Sequence, residues 1–235
     1  MVNALELKNL HFKFAPNAPD FFKNVTINFE KGRIHFIKGF NGAGKSTLFR
    51  ILRSKLEQQE VVEGVIVVEG NAQTLQTGTQ HYDALSTINM VQQKFDVMLV
   101  DHLSFEQNLQ LANLPIHPGL APLPAHKAMP TFVERFAIDV EKPVHLLSGG
   151  QRQILAILMA LQKTTNILLL DEPTAALDEK NAEMVMLFLN DLVITTRLTV
   201  LVICHDRELV MRYAHDRYFE LVVDEQGVRS IVLRS

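Results

Sequence analysis

Cysteine is almost missing from this 235-residue chain. The single one, Cys204, excludes an intramolecular disulfide and any cysteine-based zinc site. It follows the apolar run Val200-Leu201-Val202-Ile203, which predicts a buried, inert thiol. Long apolar runs are missing too. None approaches the ~20 residues that a membrane span needs, so membrane contact is expected only through a partner. Nor is charge of one sign in excess: 23 Lys+Arg against 26 Asp+Glu leave a formal net charge of −3. That balance argues against nucleic-acid binding through a dominant basic face. Met1-Val2-Asn3-Ala4-Leu5-Glu6 does not read as a signal peptide, so the chain is expected in the cytosol. There is no internal repeat of solenoid period. What is present is ordinary globular stock. A hydrophobic content of 47% supports one large α/β domain, alone or with a small insertion.

The stretch around which the chain is organised is Gly39-Phe40-Asn41-Gly42-Ala43-Gly44-Lys45-Ser46-Thr47. It fits the phosphate-loop pattern G-x-x-x-x-G-K-[ST] at every fixed position, and no second copy occurs. Arg33 to Lys38 reads as a strand entering the loop, and Thr47 to Arg53 as a helix leaving it. A glycine turn at a helix start aims free N–H groups and the positive dipole end at an anion. Lys45 is expected on the outer phosphates and the Ser46 hydroxyl on Mg²⁺.

Before the loop, Leu5 to Phe14 and Val25 to Phe29 alternate as antiparallel strands, separated by a turn at Ala15 to Asp20. After it, Val61 to Glu69 reads as a strand, the polar run Gly70 to Gln80 as a connection, and Ser86 to Val91 as a strand. Residues 94–146 differ. Pro115, Pro118, Pro122, Pro124 and Pro130 rule out one continuous helix. The segment reads as a small helical insertion with helices near 104–113 and 130–137; a disordered linker is the competing reading of 115–128. Then come a helix over Gly149 to Gln162, a buried strand over Asn166 to Asp171 and a helix over Asn181 to Leu192. A buried strand over Leu198 to Cys204, a helix over Arg207 to Ala214 and a terminal hairpin, Arg217 to Val223 with Val228 to Leu233, complete the chain. This alternation predicts a mainly parallel sheet.

Phosphate loops serve many activities, so three further sites narrow the chemistry. Asp171-Glu172-Pro173-Thr174 ends a fully apolar strand, where an acidic pair is costly unless the charge is used. Asp171 is expected beside the phosphate loop on the adjacent strand, holding the metal through water. Glu172 is the general-base candidate, aimed at an attacking water. Leu147-Ser148-Gly149-Gly150-Gln151 precedes a helix, and two readings stand. Ser148 is an N-cap, or Ser148 and the glycines form a second anion site that faces the first across a dimer. His205 ends the strand Leu201 to Cys204; it is either structural or a hydrogen-bond donor to a terminal phosphate.

This ordered set resembles the ATP-binding cassette ATPases that power membrane transporters, over essentially the whole chain. Gly39–Thr47 is similar to the family's Walker A loop, Ile167–Glu172 to its Walker B strand with the catalytic glutamate, and Leu147–Gln151 to its signature. Ala175-Ala176-Leu177-Asp178 resembles the D-loop and His205 the switch histidine. The resemblance implies an α/β P-loop NTPase fold. Residues 1–93 and 147–235 would form the core with its antiparallel β subdomain, and 94–146 the helical subdomain that docks on membrane partners. It implies ATP and Mg²⁺ as cofactors. Nucleotide would be held by Phe14 against adenine, by Gly39, Asn41, Gly42, Ala43, Gly44, Lys45, Ser46 and Thr47, and by Ser148, Gly149, Gly150 and Gln151 from the other chain. Mg²⁺ would be held by Ser46, Gln93 and Asp171, with Gln92 as the register alternative to Gln93. Glu172, His205, Lys45 and Gln93 would do the catalysis.

The implied partners are a second copy or a homologous cassette, integral membrane permease subunits and a solute-binding protein. The implied place is the cytoplasmic face of the cell membrane. Phe14 stands where the family has mostly tyrosine, and Ile154 and Met159 stand where it has mostly arginines. The segment Leu146 to Asp178, with Ile-Leu-Met-Ala in its helix, and the long gap from Gln93 to Asn108 resemble bacterial uptake systems for small organic solutes such as aromatic amino acids, whereas the proline-rich 115–130 stretch departs from them. A soluble cassette ATPase without a permease is the alternative, disfavoured by the absence of a second cassette, a coiled-coil insertion or zinc cysteines. A nucleotide-binding regulator without turnover is disfavoured by the intact Lys45, Asp171, Glu172 and His205.

Overall fold

A computed structural model describes residues 2–77, 85–114, 130–214 and 217–234, the side chains of 130–132 excepted. Among the described residues are ten strands: β1 (Asn3–Lys13), β2 (Phe22–Glu30), β3 (Ile34–Lys38), β4 (Val61–Val68), β5 (Asn71–Gln76), β6 (Ile88–Val91), β7 (Ile167–Asp171), β8 (Thr199–Ile203), β9 (Tyr218–Val223) and β10 (Arg229–Arg234). The same residues contain six α-helices: α1 (Lys45–Leu52), α2 (Phe105–Ala112), α3 (Pro130–Arg135), α4 (Gly149–Ala160), α5 (Glu179–Thr196) and α6 (Arg207–Tyr213).

All ten strands lie in one sheet, in the order β5-β4-β1-β2-β10-β9-β3-β8-β7-β6. The half from β3 to β6 is parallel, as expected from its alternation of strands and helices. The half from β5 to β2 is antiparallel. One parallel pair, Arg229 with Phe22, joins the terminal hairpin to the antiparallel half. The antiparallel and parallel parts are thus joined in one sheet.

Two expectations change here. The polar run after Gly70 is not a plain connection: Asn71 to Gln76 pairs antiparallel with β4 as an edge strand, burying only Leu75. Edge strands keep polar side chains because a single face is covered. Second, β7 is not the neighbour of β3. Strand β8 lies between them, in register with both.

The parallel strands are buried on both faces because their side chains alternate between two cores. Leu168, Leu170, Val200 and Val202 pack with Ile154 and Leu158 of α4 and Val185 and Phe188 of α5. Ile167, Leu169, Leu201 and Ile203 pack with Leu48, Phe49 and Leu52 of α1. Each fully buried side chain of this size contributes about 1.5–3 kcal/mol. The C-terminal ends of β3, β7 and β8 therefore meet at one edge, fixed from both sides. Cys204 is buried there, and burial pushes its thiol pKa up, in keeping with an inert group.

Helix α2 falls where the sequence places it, with Ser104 as N-cap and Gln107 closing the capping box. Helix α3 opens at Pro130, a favoured first helical residue. The proline-rich run at 115–128 lies outside the described residues.

Candidate active site

The loop after β3 turns directly into α1. Gly44 caps α1 with a positive φ of 105° and offers no side-chain oxygen to the first-turn N–H groups. No acidic residue stands in that turn, so its dipole is uncompensated. Gly44 also has no room for a side chain: a Cβ would lie 2.7 Å from the Phe21 ring. Lys45, though buried, donates from Nζ to the carbonyls of Gly39 at 2.8 Å and Phe40 at 3.1 Å. The ammonium is thus folded onto its own loop. Burial pushes its pKa down, and Glu172 and Asp171 pull it back up.

From β7 comes Asp171, whose Oδ2 accepts from the Ser46 hydroxyl at 3.5 Å across the intervening β8. Burial raises its pKa first and the charge of Glu172 second; Ser46, Lys45 and His205 oppose the rise. Glu172 follows with a left-handed φ of 51°. Its N–H donates to the Ile203 carbonyl of β8 at 3.0 Å. Both carboxylate oxygens are engaged. Gln93 Nε2, two residues beyond β6, donates to Oε2 at 2.8 Å. His205 Nε2, two residues beyond β8, lies 3.0 Å from Oε1.

The candidate residues at the ends of β6, β7 and β8 therefore converge, with partners other than those the sequence implied. The Glu172 carboxylate is held by Gln93 and His205. Gln93, not Gln92, makes the contact, and it reaches Glu172 rather than the Ser46–Asp171 pair. His205 meets Glu172.

A cavity of about 350 Å³ opens over the loop, lined among others by Phe14, Asn41, Gly42, Lys45, Thr47 and His205. Gly39 and Ala43 do not line it, and Ala43 is fully buried. Phe14 lines it and is 43% exposed, its ring also meeting Phe12 at a centroid distance of 5.1 Å. Sequence reasoning missed Phe21. Its ring meets Phe14 edge-on, with centroids 4.7 Å apart, and the Arg229 guanidinium covers it at 4.0 Å. The Phe21-Phe22 pair at the head of β2 was the available signal.

Ser148 is the N-cap of α4. Its hydroxyl oxygen accepts from Gln151 N at 3.2 Å, and Gln151 Oε1 accepts from Ser148 N at 3.1 Å. The capping alternative is realised in this chain. Ser148, Gly149, Gly150 and Gln151 do not line the cavity over the loop.

Residues 22–175 match the family model described as ABC transporter. The chain belongs to the ABC transporter family. It is an ATP-binding ATPase cassette with the P-loop NTPase fold. It is 30% identical over 98% of its length to the energy-coupling factor transporter ATP-binding protein EcfA of Methanosphaera stadtmanae, covering 80% of that protein. It is 34% identical over 82% of its length to the methionine import ATP-binding protein MetN of Streptococcus agalactiae, spanning about half (54%) of that longer protein. It is 32% identical over 90% of its length to the phosphonates import ATP-binding protein PhnC of Staphylococcus aureus, covering 83% of it.

Among solved structures, cbiO1 from Clostridium perfringens, part of the ABC transporter complex cbiONQ, superposes with a TM-score of 0.77 at 24% identity; the match covers all of this chain and 89% of that one. The cassette MJ0796, solved as a dimer bound to ADP and phosphate, gives 0.64 at 26% identity, covering 96% of each chain. None of these relatives is named for aromatic amino acids. Among the described residues no helix is long and apolar enough to cross a membrane.

Proposed function

We propose that this cassette drives solute import by pairing with a second cassette around ATP on the cytoplasmic side of a cell membrane. The observation that carries the reading is the convergence of Lys45, Ser46, Asp171, Glu172 and His205 on one cavity beneath an uncapped helix start. Triphosphate would displace the Gly39 and Phe40 carbonyls from the Lys45 ammonium and take the free N–H groups of α1. Phe14 would stack on the base. Ser148 would reach the nucleotide held by the partner cassette.

The donor set suits Mg²⁺. A hydroxyl and a carboxylate already within 3.5 Å are hard oxygen ligands, and Mg²⁺ takes one or two such groups plus phosphate oxygens. Asp171, its carboxyl pKa raised by burial, gains a reason to be charged when a divalent ion arrives. The bound ion would neutralise charge on the phosphates. Gln93 would move from Glu172 toward that site. Glu172, once released, is placed to take a proton from water, and His205 to hold both the carboxylate and a phosphate oxygen.

The 94–146 region is the docking face for permease subunits in this reading. Support comes from Val97, Val100 and Leu146, large apolar side chains left exposed there, and from the import names of MetN and PhnC. A solute-binding protein on the far side of the permease fits the same reading.

The test is a Glu172→Gln chain. It should hydrolyse ATP at least ~10²-fold more slowly yet become a dimer when ATP is added, read by light scattering. Mixing a Lys45→Ala chain with a Ser148→Arg chain should leave at most one competent site per dimer. Unchanged turnover in the first, or full activity in the mixture, overturns the reading.

A further inference from the structure

One side chain ties the start of α4 to the start of α5, and the ATP chemistry above leaves it unused. Asn181 is the third residue of α5. Its Oδ1 accepts from the Ser148 hydroxyl at 2.9 Å and from Gly150 N at 3.3 Å. Its Nδ2 donates to both oxygens of Asp178, at 3.0 and 2.9 Å, and its backbone N–H donates to Asp178 Oδ1 at 2.8 Å. These bonds hold the Asp178 carboxyl below its usual pKa. The fit is close: a Cβ on Gly150 would lie 2.8 Å from Asn181 Oδ1 and 3.2 Å from its Cβ. Asn181 therefore occupies a fixed socket between the two helix starts.

A hydroxyl has one proton to give. Ser148 gives it to Asn181 while its oxygen accepts from Gln151 N. The cap itself does not need Asn181, because Gln151 closes the box from the other side. A Ser148 hydroxyl in this arrangement cannot donate to a phosphate oxygen until it lets Asn181 go. We propose that Asn181 is a positioning residue that competes with the phosphate of ATP for the Ser148 proton, and so sets the ATP concentration at which two cassettes pair. The inference rests on the reading that Ser148 faces the partner's nucleotide. It adds a consequence to that reading. When Ser148 turns to phosphate, Asn181 stays bonded to Asp178, and the side-chain link between the two helix starts loses its stronger half.

A neutral hydrogen bond shifts an equilibrium by a factor of about 2 to 12, and a dimer contains two such Ser148 groups. The experiment is an ATP titration of dimer formation in the Glu172→Gln chain, followed by light scattering, with KM and kcat measured separately in the otherwise unchanged chain. Asn181→Ala should reach half-dimerisation at an ATP concentration at least ~3-fold lower. Asn181→Asp should need at least ~3-fold more, because a carboxylate holds the hydroxyl proton harder and brings negative charge toward phosphate.

Opposite shifts are the signature, since a residue that merely holds the fold would weaken pairing in both variants. Shifts in the same direction, or an Asn181→Ala chain that pairs at equal or higher ATP, overturn the inference. If Asn181→Ala does not fold, Asn181→Leu, similar in size and without an acceptor, takes its place: pairing at lower ATP supports the inference, and pairing at equal or higher ATP overturns it. Failure of the Glu172→Gln chain with Asn181 intact to pair at all overturns the proposed function, and this inference with it.

Discussion

Replacing Glu172 by glycine should leave a cassette that is sturdier than its alanine counterpart and equally dead. Glu172 sits at φ 51°. A left-handed backbone costs an L-residue roughly 1–2 kcal/mol, and glycine escapes that cost. Glycine in turn gives up about 0.5–1 kcal/mol through its freer unfolded chain. Both substitutions remove the same contacts to Gln93 and His205, so those cancel in the comparison. Glu172→Gly is therefore expected to be about 0.5–1 kcal/mol more stable than Glu172→Ala, the reverse of the ordinary ranking. At roughly 2–4 °C per kcal/mol for a chain of this size, that is a difference in Tm of about 1–4 °C. Urea unfolding of the nucleotide-free chains gives the same comparison isothermally. Turnover should fall at least ~10²-fold in both, since each lacks the carboxylate. An alanine variant as stable as the glycine variant, or more so, would refute the claim that the backbone is held strained where the chemistry occurs.

Acid should weaken the fold through His35. Burial pushes its pKa below 6.5, offset only in part by the bond from Nε2 to the Glu30 carbonyl at 2.8 Å. The native state then binds fewer protons than the unfolded chain just below pH 6.5, so stability falls as pH drops through that window toward the depressed native value. His35→Phe, whose ring suits the Phe29 and Phe219 neighbours, should flatten that part of a urea-midpoint profile; an unchanged slope counts against it. Gly44→Ala should destabilise the chain by about 1–4 kcal/mol in urea, combining backbone strain with overpacking against Phe21, less the gain from a stiffer unfolded chain. Phe21→Leu, added as a second substitution, should recover part of that loss, and a Gly44→Ala chain of undiminished stability would contradict it.

The phosphate loop and the acidic strand end were readable because their residue types are dictated locally: glycine by conformation, carboxylates by a charge placed against an apolar run. Spatial order was not readable. Nothing in Leu198 to Cys204 announces that its strand slides between β3 and β7, because hydrogen-bonded ladders carry no side-chain label of their neighbour. Strand β5 escaped because Asn71, Gln73 and Gln76 present no alternation, and only Leu75 turns inward. Asn181 looked like one more polar residue at a helix start. Its part depends on Gly150 having no Cβ, a long-range packing fact. Ser148 was ambiguous for a physical reason: the features that make a good N-cap also make a good anion ligand, and in this chain the cap is formed.

Strand β8 acts as a ruler. Neighbouring strands lie about 4.7–4.9 Å apart, so one inserted strand sets the span between β3 and β7 at two spacings. Loop changes cannot narrow that span by a fraction, and a one-residue slip of β8 would turn its two buried faces inside out. His205 is carried by the ruler itself. The geometry that prepares Mg²⁺ and triphosphate chemistry is thus inherited from Val200, Leu201, Val202 and Ile203, four aliphatic side chains that touch neither. Random substitution should consequently damage turnover through those four positions as readily as through the charged ones.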